Sequence, residues 1–233
     1  MKRREFIAGT TALGAVLILP HRQAKLFAAS LPADLTSLSA SDLSTAIRQR
    51  EVSCVEVMQA YLERIHQYNP VYNAIVSIVD DDDLLAHALD ADQALARNQY
   101  RGWMHGMPHA VKDLSNVAGM RTTSGSPIYA NRIAENDSLL VSRIRNQGAI
   151  FIGKTNTPEF GLGSQSYNPV FGATGSAYNP ALTAGGSSGG AASGLATHML
   201  PVADGSDMMG SLRNPGAFNN VIGFRPTSGR VPG

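Results

Sequence analysis

A lysine and two serines carry the chemistry that this sequence could perform. Lys112 closes the short apolar run "PHAVK". Ser187 lies in "GGSSGG", and Ser211 follows in "DGSDMMGSLRNP". A serine hydroxyl attacks a carbonyl efficiently only when a base takes its proton. An amine serves as that base only when neutral, so Lys112 has to fall from the ordinary lysine value of about 10.4. Burial does this by penalising the charged form, and "HAVKDLS" supplies an apolar flank. Taken singly, each residue has a plainer reading: a surface lysine at a strand end, and serines in a flexible Gly/Ser linker. The other reading of the glycines is backbone folded tightly round a reacting atom, where any Cβ would intrude. Histidine is the weaker base candidate. His105 and His109 near Lys112 read as structural, His66 and His87 fall on helices, and His198 ends one.

The elements that must position these residues are legible in outline. Residues 39–70 predict two helices. The second starts at a capping box, Ser53 with Glu56, repeats Val55, Met58, Leu62 and Ile65 at helical spacing, and stops at Asn69-Pro70. "NAIVSIV" (73–79) predicts a strand. The helix that follows starts with Asp80–Asp83, which suit a helix N-terminus, and carries Leu85, Leu89 and Leu95. Four consecutive aspartates cannot all converge on a metal, so no metal site is expected there. Residues 104–113 predict a turn and a strand ending at Lys112 and Asp113. Residues 137–161 predict a helix, a stop at Gly148, a strand at 149–152 and a loop into Glu159. "GAASGLATHML" predicts a helix directly after "GGSSGG", which a linker would not normally run into. Alternating helices and strands argue for an α/β fold.

Four motifs, "GMPHAVKD", "GKTNTPEFG", "GGSSGGAASG" and "GSDMMGSLRNP", occur in this order, flanked by the helices at 41–68 and by the ending "GFRPTSGRVPG". Together they resemble the amidase signature family, over about residues 38 to 233. The resemblance implies an amidase-signature α/β fold, with a mixed β-sheet core covered by helices on both faces. It implies hydrolysis of linear or cyclic carboxamides to a carboxylate and ammonia or an amine, without metal or cofactor, on a small-molecule substrate. It implies Ser211 as nucleophile, Ser187 as proton relay after a cis peptide bond, and Lys112 as base. The backbone N–H groups of Met208, Met209, Gly210 and Ser211 would hold the oxyanion, with Asp207 and Arg213 bracing the loop. Ser188 would either join the network or cap a helix.

Two departures stand out. The family usually has two glycines before the nucleophile, and here they are Met209 and Gly210. Met209 is tolerable with a negative φ and a side chain turned from the substrate, and it would otherwise line the pocket. Family members also continue for roughly as many residues again. The domain at 31–233 is therefore expected to be truncated at its C-terminus, with an incomplete fold. A catalytically incompetent fragment or binding remnant is the alternative to an active amidase.

Composition narrows the rest. The 233 residues are 43% apolar and 16% charged with 23 glycines, which suits a globular domain. A net charge of +1 gives no footprint for nucleic acid. The single cysteine, Cys54, excludes an intramolecular disulfide and reads as a small buried helix residue. Residues 1–30 have a basic start (Lys2, Arg3, Arg4), an apolar run from Ile7 to Leu19, and small residues at Ala28, Ala29 and Ser30. The run is short for a membrane anchor, and the whole resembles a twin-arginine export signal. Export to the periplasm argues against a third reading, the A-type component of a cytoplasmic amidotransferase. Another copy of the chain is an allowed partner, since a homodimer would cover open sheet edges.

Overall fold

The structure is a computed structural model, which describes residues 31–231. The expected export segment lies outside the described residues. Helices α1 (Ala40–Gln49) and α2 (Cys54–Tyr72) form as their caps dictate. Ser53 Oγ accepts the Glu56 N–H at 3.1 Å while Glu56 Oε2 accepts the Ser53 N–H at 2.8 Å, the expected capping box. Asp92 reaches across from α3 (Asp81–Ala96) and accepts the N–H groups of Cys54 and Val55. Pro70 does not stop α2. So close to the helix end it forfeits only one backbone bond, and the helix runs on to a left-handed Asn73. Asn69 then turns the chain, accepting the N–H groups of Ala74 and Ile75.

The face that α3 buries is Leu84, Ala88, Ala91 and Leu95, whereas Leu89 is exposed. Leu85 and Leu89 therefore do not make the core stripe. The alanines let α3 pack closely on α2, and periodicity read from leucines alone misses them. At the helix start Asp80 accepts the Asp82 N–H, so the aspartate run is a capped, solvated helix terminus.

The sheet has the order β1-β3-β2. β1 (Ile75–Val76) is antiparallel to β3 (Ile150–Thr155), and β2 (Pro108–Lys112) is parallel to it. β1 is shorter than the apolar run that predicts it, because Ser77 turns left-handed (φ 47°) and breaks the strand. β3 runs three residues past the expected 149–152, and all of it is buried. The β2–β3 register slips between His109 and Ala110, from Pro108 opposite Ile150 to Lys112 opposite Thr155. A separate ribbon joins β4 (Tyr167–Asn168) and β5 (Gly172–Ala173). The remaining α-helices among the described residues are α4 (Leu139–Asn146), α5 (Gly189–Ala196) and α6 (Arg213–Asn219). α5 stops short of the expected Leu200, and His198 beyond it is left-handed (φ 59°).

Strand alternation sends neighbouring residues to opposite faces. Val111 packs with Val141 of α4 and with Phe151. The next residue, Lys112, points the other way, to the N-terminus of α5. Helices thus cover both faces of a mixed sheet.

Candidate active site

Lys112 is 1% exposed although it carries an amine. Its Nζ donates to Ser187 Oγ at 2.7 Å, Ser188 Oγ at 2.8 Å and Ser206 Oγ at 2.9 Å. An ammonium fills all three hydroxyls as a donor. A neutral amine donates to two and accepts from the third. Burial brings the Lys112 pKa down to about 7, against the pull of Asp204 and Asp207 in the other direction. The lysine is therefore poised between the two forms near neutral pH.

The glycine-rich stretch is not a linker. Residues 184–194 are all buried. A Cβ on Gly186 would come within 2.6 Å of the Gln165 backbone nitrogen, and one on Gly190 within 2.3 Å of the Asn156 nitrogen. Side chains are excluded because other backbone already fills the space. The Gly186–Ser187 peptide is cis, as the resemblance implied. Ser188 occupies the cap position of α5 without capping it. Its hydroxyl instead faces Lys112, and its N–H donates to the carbonyl oxygen of Ser211 at 3.1 Å.

The loop carrying Ser211 is organised by Asp207. Its carboxylate accepts the N–H groups of Gly210, Leu212 and Arg213, and the Arg213 guanidinium through Nε and Nη2. The Arg213 side chain, followed by the loop N–H groups, holds this carboxyl well below the usual carboxylate range. Asp207 and Arg213 thus brace the loop. The Gly210 N–H, expected as an oxyanion donor, is engaged by Asp207 in this arrangement. The N–H groups of Met208, Met209 and Ser211 meet no acceptor among the described residues.

Ser187, Ser206 and Ser211 line one cleft of about 420 Å³, with Met208 and Met209 beside them. Among the described residues, no hydrogen bond joins Ser211 Oγ to Ser187 Oγ. Met209 keeps out of the left-handed region, and it is among the residues that line the cleft while standing 87% exposed. A second cleft of about 460 Å³, with Arg101, Arg145 and Phe151 in its wall, shares none of these residues.

Two contributors escaped the motif reading. Ser206 is the third hydroxyl on Lys112. The signal is available in principle: a buried amine needs three polar partners, and the motifs name only Ser187 and Ser188. Asp204 accepts the Lys112 backbone N–H and also His109 Nε2 at 3.2 Å. His109 Nδ1 is buried without a hydrogen-bond partner among the described residues, so no serine is activated by it. His105 bonds the Ala91 carbonyl oxygen and the Arg101 N–H, a structural role. Cys54 is fully buried, and its thiol is pushed up by burial.

Asp113, the residue after the lysine, anchors one rim of the cleft. It accepts the N–H groups of Thr123 and Gly125 and the Thr123 hydroxyl. Within that loop the Ser124 carbonyl oxygen accepts the Phe160 N–H at 2.7 Å. Among the described residues, no group of three or more His, Cys, Asp and Glu side chains is placed to hold a metal ion. No described helix is long and apolar enough to cross a membrane.

The amidase family's sequence profile matches residues 56–233, and the chain belongs to that family. It is 38% identical over 198 residues to the A-type component of the glutamyl-tRNA(Gln) amidotransferase of Carboxydothermus hydrogenoformans, covering 85% of this chain and 41% of the relative. The same-named protein of Paraburkholderia xenovorans is 40% identical over 193 residues, covering 83% of this chain and 38% of the relative. Among solved structures, the peptide amidase of Stenotrophomonas maltophilia superposes with a TM-score of 0.74 at 31% identity, over 81% of this chain and 40% of that one. A fatty acid amide hydrolase superposes with a TM-score of 0.74 at 28% identity, over 81% of this chain and 34% of that one. The chain therefore spans about two fifths of the length of the curated relatives it matches.

Proposed function

We propose that this chain carries the catalytic centre of an amide hydrolase acting through Ser211, Ser187 and Lys112. Ser211 Oγ attacks the amide carbonyl carbon and passes its proton to Ser187 Oγ, which releases its own proton to neutral Lys112. The oxyanion is met by the free N–H groups of Met208, Met209 and Ser211, fixed dipoles of the kind that stabilise developing charge. As the C–N bond breaks, Lys112 returns the proton through Ser187 to the leaving amine, and an ester on Ser211 remains. Water then attacks the ester. Its proton follows the same route to Lys112, and Ser211 leaves reprotonated, giving a carboxylate. The direct contact that this route still needs is between the Ser187 and Ser211 hydroxyls, which face the same cleft.

The observation that carries this reading is the buried Lys112 amine, close to neutrality, 2.7 Å from Ser187 Oγ. A fluorophosphonate probe, followed by peptide mapping, tests it. Label on Ser211 is the expected outcome, and label on another serine would overturn the assignment. No label would favour the catalytically incompetent remnant.

A second reading is the same chemistry in an amidotransferase component that passes ammonia to a partner. The similarity to the A-type components of amidotransferases favours it. Export of the chain to the periplasm, supported by the basic and then apolar start of the sequence, weighs against it. Detection of the chain in periplasmic or cytoplasmic extracts separates the two. A small-molecule amide is the substrate in the first reading, and a second copy of the chain is an allowed partner.

A further inference from the structure

The cleft in front of Ser211 has a one-sided chemistry. Met208, Met209, Leu114, Phe160 and Leu162 line it beside the neutral polar Ser164 and Asn214, and among the described residues no charged side chain does. The nearest charges are spoken for. Arg213 and Arg225 both turn onto Asp207, and the Lys112 amine lies behind Ser187. Met208 is 78% exposed, Met209 87% and Leu162 71%, so these cleft-lining residues are not packed into the protein. Methionine side chains are unbranched and adapt to irregular apolar partners. Met209 precedes Ser211 by two residues, so an apolar side chain lies close to the proposed nucleophile in the chain.

We infer that Met208, Met209 and Leu162 form a rest for the acyl chain, and that the substrate is an amide with an uncharged apolar acyl group. This rests on the reading of Ser211 as the nucleophile. Free glutamine fits the cleft poorly. Its α-ammonium and α-carboxylate would lie within a few bonds of the scissile amide, where the lining offers neither an anion nor a cation.

The test is the rate at which alkyl fluorophosphonates of increasing chain length, ethyl to octyl, label Ser211 of the full chain. Each fully buried methylene is worth up to about fourfold, so partial burial of six should make octyl at least about tenfold faster than ethyl. The exposed Leu162 and Met209 allow substitution without loss of packing. Leu162→Ser, and separately Met209→Ser, should bring the octyl-to-ethyl ratio to about threefold or less. Hexanamide should slow labelling, and glutamine at the same concentration should not. Equal rates at all chain lengths, or protection by glutamine exceeding that by hexanamide, would overturn this inference and leave the nucleophile in place. Absence of labelling on Ser211 at every chain length would overturn the nucleophile assignment, and the acyl rest with it.

Discussion

Ser188 joins the two halves of the site: its N–H donates to the Ser211 carbonyl oxygen at 3.1 Å, and its hydroxyl accepts from Lys112 Nζ at 2.8 Å. One residue thus holds both the loop that carries Ser211 and the Lys112 amine. Consequences for the lysine, its hydroxyl partners and the loop can be measured separately.

Lys112→Met should remove activity and relieve an electrostatic burden. Hydrolysis should fall by at least about a hundredfold, the lower end for loss of a general base. Wild-type activity should rise with pH through about 7 as the amine loses its proton. The stability effect has a definite sign. The folded value is below the unfolded 10.5, so between about 7 and 10.5 the unfolded chain binds more protons, and wild-type stability should rise with pH across that window. Urea unfolding at pH 7 and pH 9.5 should show this rise reduced in the variant. Lys154, lowered to about 8 by burial, retains a share of the same sign. An unchanged slope in Lys112→Met would contradict the assignment.

Ser206→Ala removes one acceptor from the ammonium form. A hydrogen bond to a charged group is worth about 1.5–3 kcal/mol, so the acid limb of the pH–rate profile should move to lower pH. A purely structural role for Ser206 would lower the rate at every pH without moving that limb. Ser206→Thr keeps the hydroxyl and should restore the wild-type profile.

Asp207→Asn leaves several loop N–H donors without their full acceptor, at a cost of about 1–3 kcal/mol of stability at pH 7. Arg213 and the loop hold the Asp207 carboxyl below its ordinary 3.8. Its stabilisation is complete above that value and is lost as pH falls through the lower folded value. Chemical denaturation of both proteins should therefore give a constant difference from pH 7 to about 4, and a shrinking one below. A constant difference down to pH 2 would assign the effect to packing alone.

Gly190→Ala places a methyl group against the Asn156 nitrogen and the Ala74 carbonyl oxygen, both backbone atoms. Backbone cannot swing aside as a flexible side chain does, so the cost should reach or exceed the about 1–3 kcal/mol usual for overpacking. Ala is normally the better helix former, so a raised melting temperature would show that this region is open.

The sequence showed the parts of this molecule whose physics is local. Ser53 and Glu56 announce the start of α2 because a capping box needs only four consecutive residues. Lys112, Ser187 and Ser188 stand in recognisable motifs, and the structure brings them together. What stayed hidden depends on contacts between distant segments. Pro70 reads as a stop, yet Asn69 closes the helix later by bonding Ala74 and Ile75. The Leu89 periodicity misleads because the buried face of α3 mixes leucine with alanine, Leu84, Ala88, Ala91 and Leu95, and alanine gives a weak hydrophobic signal. Asp204 gives no signal of its own, and Ser206 gives one only through the count of partners a buried amine needs, because their roles exist only once β2 lies beneath the loop.

The slip in register between β2 and β3 changes parity. Continued from Pro108 opposite Ile150, an unbroken ladder would have set Lys112 opposite Lys154, two buried amines side by side on one face. Ile152 takes no place in the pairing, and after it Lys112 meets Thr155 while Lys154 meets Val111. The two amines then project to opposite sides of the sheet, Lys112 to the α5 hydroxyls and Lys154 to the Ser115 carbonyl oxygen. Neither is among the charges that shift the other. A single unmatched residue thus keeps two buried amines from lying side by side on one face of the sheet, and leaves Asp204 to act on each from its own side.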